Sequence, residues 1–170
     1  MNKLIICSLV LLLSCNNAVA GVRELRPQEV LYAFIGMNYI FDKKAFIEYA
    51  EVTNSVPVIM KSWKTKPAIS EFNRRFDSEK PYSFYGYSWG VQPARDLILY
   101  HGYRPKRFIA VGPYYKVTRL NKIGPTGVRV LIHGDASSGP TYKMHRDSKG
   151  RPISHDKIMR HVTELEKRNK

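Results

Sequence analysis

Tyr82-Ser83-Phe84-Tyr85-Gly86-Tyr87-Ser88-Trp89-Gly90 is the stretch whose reading decides the fold. Its first four residues have the aromatic-rich pattern of a buried strand, and the chain then meets glycine on both sides of Ser88. Beyond it, Trp89 to Tyr100 places Val91, Ala94, Leu97 and Ile98 on one side of a helix. Pro93 is tolerated only in a first turn, so this helix is predicted to start directly after Ser88. A serine on so tight a strand-to-helix turn leaves no room for side chains two residues before and two after it, and glycine answers that need. The helix would also aim its free N–H groups and positive dipole end at the serine. The plainer account is an ordinary strand–helix turn with an incidental serine.

Working outward, short apolar runs alternate with amphipathic ones. Val30 to Ile35 reads as a strand buried on both faces, ending at Gly36. A helix opening at Asp42 carries Ala45, Phe46, Tyr49 and Ala50, and ends near Asn54. Val56 to Met60 reads as a second strand, with Pro57 pointing to an edge or a strand start. Pro67 to Phe76 reads as a helix with Pro67 in its first turn. Arg107 to Val111 and Val128 to Ile132 read as the fourth and fifth strands, separated by a Gly-, Pro- and Lys-containing loop over 112–127. Thr141 to Met144 is a candidate short sixth strand, and Asp156 to Lys167 a closing helix. Successive βα units imply right-handed crossovers, hence a doubly wound, mainly parallel sheet of five to six strands with helices on both faces.

Residues 1–20 read as an export signal rather than as part of this domain, which would span 21–170. Lys3 precedes an apolar run from Leu4 to Leu13, and Ala18-Val19-Ala20 is a small-x-small cleavage site. That run, about 10 residues, is too short for the roughly 20 of a spanning helix. Leu12-Leu13-Ser14-Cys15 offers a second reading, lipidation of Cys15. The expected location is the periplasm or the exterior, with lipid anchoring open. Both cysteines, Cys7 and Cys15, fall in this segment, so the mature domain has no disulfide, thiolate metal site or cysteine nucleophile.

The formal charge is +14, or +13 without Lys3. Basic clusters lie at Lys61-Ser62-Trp63-Lys64-Thr65-Lys66, at Arg104-Pro105-Lys106-Arg107 and on the last helix (Lys157, Arg160, Lys167, Arg168, Lys170). Such charge attracts polyanions without naming one. For an exported protein the expected partner is an anionic membrane surface or envelope polysaccharide, and no nucleic acid. Simple solubility is the competing account of any one cluster.

Gly86-Tyr87-Ser88-Trp89-Gly90 resembles the nucleophile elbow of cutinases and small lipases in the α/β-hydrolase superfamily. The resemblance spans Val30 to about Val162, with the elbow as its specific motif. Against the family's usual eight strands the first two are missing, and no insertion is long enough for a cap domain. It implies an ester hydrolase (lipid esters included) working without metal or organic cofactor, with Ser88 as nucleophile. It also implies an acid after the second strand beyond the nucleophile strand, and a base just before the last helix. Asp135 and His155 occupy those positions, with Asp147 and His145 as substitutes. His161 is expected at the surface, His133 to pack locally and His101 to lie remote. The oxyanion donors implied are the backbone N–H groups of Trp89 and of Met37, in the loop after the first strand. There many lipases carry His-Gly and this chain has Ile35-Gly36. Tyr39, Tyr87, Trp89, Tyr114 and Tyr115 are candidates for an apolar pocket or for plain core. The rival from another class is a non-catalytic envelope- or polyanion-binding protein on the same scaffold.

Overall fold

The computed structural model describes residues 28–36, 39–114, 119–138 and 142–170, and for 39–42 the backbone only. Residues 1–27, with Cys7 and Cys15, and the sequence candidates Met37, Tyr115 and Thr141, lie outside the described residues, as does the side chain of Tyr39.

Five strands, β1 (Val30–Phe34), β2 (Val56–Met60), β3 (Tyr82–Tyr87), β4 (Arg107–Val111) and β5 (Arg129–His133), form one sheet in the order β2-β1-β3-β4-β5. Every pairing is parallel. The helices are α1 (Tyr39–Val52), α2 (Thr65–Arg75), α3 (Val91–Tyr100) and α4 (Ile158–Arg168). The sequence places α1 three residues too late, at Asp42, and misses the 3-10 turns over Leu120–Thr126. Residues 142–144 are not a sixth strand: Met144 makes only an isolated parallel bridge to Gly134. Among the described residues no helix is long and apolar enough to cross a membrane.

Strand alternation divides the apolar residues into two cores. Tyr32, Phe34, Phe84, Phe108 and Ala110 face α2 and α3, packing with Phe72, Val91 and Leu97. Leu31, Ala33, Tyr85, Ile109 and Val111 face the other way, against Phe46 and Tyr49 of α1 and Ile158 and Val162 of α4. Both faces of a parallel sheet are therefore covered, which is why its central strands are continuously apolar. Phe72 anchors the first core, with ring centroids 5.0 Å from Tyr32, 5.3 Å from Phe84 and 4.9 Å from Tyr103, all near edge-to-face. Each such pair contributes about 0.5–1.5 kcal/mol beyond area burial.

The strand order creates a crevice. From β1 the chain goes one way to β2 and then returns to the other side as β3. In open α/β sheets the crevice at such a reversal, outside the carboxyl ends of the strands, is where ligands bind. Here it lies between the ends of β1 and β3, where Gly36 and Ser88 emerge.

Candidate active site

Ser88 leaves β3 with φ +54, one of three non-glycine residues with positive φ among those described, and opens a 3-10 turn, Ser88–Gly90, that runs into α3. That backbone costs roughly 1–3 kcal/mol and persists only where surrounding packing holds it. The two glycines show what holds it. A Cβ on Gly86 would lie 2.7 Å from the Val91 Cα, and one on Gly90 would lie 1.9 Å from the Phe34 carbonyl oxygen. The turn is thus pressed between the start of α3 and the end of β1. Gly36 flanks the serine directly, since a Cβ there would be 3.0 Å from Ser88 Cβ. Trp89 lies in this first turn, so its N–H is among those without an acceptor inside the helix.

Asp135 and His155 come together: His155 Nδ1 lies 2.5 Å from Asp135 Oδ2. The carboxylate is fully buried, while the imidazole side chain is 33 % exposed. The other carboxylate oxygen, Oδ1, accepts hydrogen bonds from the Ser137 N–H at 2.8 Å, the Ser137 hydroxyl at 2.7 Å and the Ser138 hydroxyl at 3.1 Å. Burial alone would raise the Asp135 pKa, but the hydrogen bonds from His155 and Ser137 and the His155 charge outweigh it and leave the carboxyl below its ordinary value. Asp135 therefore caps its own turn and orients an imidazole at once.

The same edge supplies the packing around this pair. Gly112 follows β4 at φ +54, and a Cβ there would meet Asp135 Oδ2 at 2.5 Å and His155 Nδ1 at 3.0 Å. The Tyr87 ring stacks on His155 at 5.0 Å and 20°, and its hydroxyl donates to the His155 carbonyl at 2.8 Å. Ser88 is the next residue in the chain. Sequence reasoning missed Tyr87, Gly112 and Ser137 in these roles. Only their adjacency to the elbow, to a strand end and to Asp135 could have drawn attention to them. Replacing Tyr87 with phenylalanine removes one hydrogen bond worth about 0.5–1.5 kcal/mol while keeping the ring. A severalfold loss in reactivity at Ser88, with unfolding free energy lowered by about the worth of that hydrogen bond, is the expected outcome of comparing labelling rates and urea melts.

The substitutes stand elsewhere. Asp147 pairs with Arg151 at 2.9 Å in an exposed turn. His145 Nε2 sits 3.1 Å from His133 Nδ1 rather than beside a carboxylate. His161, expected at the surface, is half-buried and meets the His145 ring at 5.0 Å. Trp89 stacks on Tyr114 at 5.2 Å and 16°, forming an aromatic wall next to Ser88. No hydrogen bond joins the Ser88 hydroxyl to His155 among the described residues, nor do these include a cluster of three or more His, Cys, Asp or Glu side chains placed to hold a metal ion. No protein-family model, curated sequence or solved structure matches the chain.

Proposed function

We propose that the chain is an exported serine hydrolase of the α/β-hydrolase type that cleaves carboxylic esters through an acyl-enzyme. One observation carries this reading. A serine in a strained strand-to-helix turn and a buried aspartate paired with a partly exposed histidine share one sheet edge, linked by Tyr87, which precedes the serine and stacks on the histidine.

In this mechanism His155 takes the Ser88 proton as the oxygen attacks the acyl carbonyl, then returns it to the leaving alcohol. Asp135 holds the Nδ1–H tautomer and stabilises the imidazolium. The Trp89 N–H donates to the developing oxyanion, with a second donor expected from Met37. A serine–histidine hydrogen bond commonly tightens only when substrate is bound, so its absence here is compatible with the chemistry. The test is labelling of the purified protein with a fluorophosphonate probe. Labelling lost in Ser88→Ala supports the reading, and a folded protein that never labels overturns it.

A second reading, binding of a polyanion, has its own observation. On the loops beyond the strand ends, exposed Lys61, Lys64, Arg119, Lys143, Arg146 and Lys149 outnumber the acids, of which Asp135 is buried, Asp147 is paired and Asp156 is exposed. This rim is also compatible with an enzyme whose substrate or surface is anionic. If so, kcat/KM for a carboxylate-bearing ester should fall severalfold between about 10 mM and about 1 M salt, as the Debye length shrinks from about 30 to about 3 Å. A matched neutral ester should be unaffected. Equal responses of the two esters would remove any role for the rim in recognition.

A further inference from the structure

Three of the five histidines meet outside the proposed chemistry, and they come from three places in the chain. His133 ends β5, His145 lies in the following loop and His161 is on α4. The His133 and His145 rings stack at 5.2 Å and 18°, with Nδ1 and Nε2 3.1 Å apart, and His145 meets His161 at 5.0 Å and 60°. A hydrogen bond between two ring nitrogens needs one N–H and one lone pair, so it cannot survive protonation of both. His133 Nε2 is buried with no hydrogen-bond partner among the described residues, so a proton placed there would be desolvated and unpaired.

The backbone of this stack holds both parts of the Asp135–His155 pair. The His133 carbonyl accepts from Gly112 at 2.9 Å, the glycine packed against that pair. The His145 N–H donates to the Gly134 carbonyl, next to Asp135, and the His145 carbonyl accepts from Ile153, each at 2.9 Å. Ile153 in turn accepts from the Ala136 N–H at 3.0 Å. We propose that the His133–His145 stack, packed against His161, is a positioning element for the Asp135–His155 pair that works only while the His133 and His145 imidazoles are uncharged, so that mild acid releases the loop and switches the site off. The switching of activity rests on the hydrolase reading; the acid release of the loop does not.

The surroundings agree on the direction. Burial first, then His145 and His161, push His133 down to about 4, and burial, His161 and Lys143 lower His145. Among the described residues the charged or titratable groups facing these two rings are therefore one another, His161 and Lys143. No carboxylate compensates. Histidines with depressed pKa values bind protons more readily once released. Their support for the loop is complete above the ordinary value of 6.5 and is lost as pH falls toward about 4.

Labelling also depends on the proposed base and nucleophile themselves, so activity alone does not decide the matter. The deciding measurement is hydrogen exchange of the Ala136, His145 and Ile153 amides between neutral pH and mild acid, corrected for intrinsic rates, beside fluorophosphonate labelling. In the wild type, protection of these amides should fall at least about tenfold between about pH 7 and about pH 4.5, while the β1 and β3 amides stay protected. In His145→Gln, which cannot become charged, and in His133→Phe as a second variant, the loop should stay protected to lower pH. Loop protection retained to about pH 4 in the folded wild type, or release at the same pH in the variants, would overturn the proposal. Release at the expected pH in a protein that never labels would support the acid-sensitive stack and overturn the hydrolase reading instead.

Discussion

Ser88→Ala is expected to lower kcat/KM for a soluble ester by about 10⁴- to 10⁶-fold, because nucleophile and base act as a unit and either loss disables both. Its stability should change little. Ser88 is only 7 % exposed, yet alanine deletes a single oxygen that has no hydrogen-bond partner among the described residues. A φ of +54 strains alanine as much as serine. Glycine at the same position should be more stable than either, since it adopts that φ without penalty. His155→Ala should match the rate loss. Asp135→Asn should cost about 10⁴-fold in turnover by favouring the wrong imidazole tautomer. Steady-state kinetics beside urea unfolding separates these outcomes. A Ser88→Ala protein retaining wild-type turnover would mean that the elbow is a structural turn and no more.

Gly90→Ala is expected to be the most destabilising glycine-to-alanine change among the described glycines. The new Cβ would lie 1.9 Å from the carbonyl oxygen and 2.3 Å from the carbonyl carbon of Phe34, and 2.9 Å from the Ile35 nitrogen. These are backbone atoms at the end of a central strand, so no rotamer change relieves the clash. Either β1 or the start of α3 must move, and both cores pack on β1. Overpacking of a well-filled core costs about 1–3 kcal/mol, and with backbone on both sides the loss should reach or exceed the top of that range. Gly124→Ala is the internal control, because a Cβ there meets nothing within 4 Å. Urea unfolding of both proteins checks the contrast. A Gly90→Ala protein that melts with the wild type would mean that the elbow is looser than its packing implies.

Some of this was legible in the chain itself. The Gly86-x-Ser88-x-Gly90 turn could be read because its cause is local: a positive φ and two close approaches demand glycine at fixed offsets. The strand cores could be read from continuous apolar runs, and Pro57 pointed to an edge or a strand start, of which β2 shows both. The start of α1 was misplaced, since Asn38 and Asp42 are both residue types favoured at a helix start and the reading took the second, three residues after Tyr39.

By itself, then, the sequence determined the alternation of strands and helices, the strained turn at Ser88 and the basic balance, because these depend on residues within a turn or two of one another. The order β2-β1-β3-β4-β5, which places Ser88 at a reversal of the sheet, was decided by how the crossovers pack. So was which acid meets which imidazole. Asp135 meets His155 because Gly112 leaves room for both and the Ser137–Ser138 turn aims the carboxylate, whereas Asp147 turns to Arg151 and His145 to His133. No local rule orders contacts between residues so far apart; the burial of two apolar cores on one parallel sheet does.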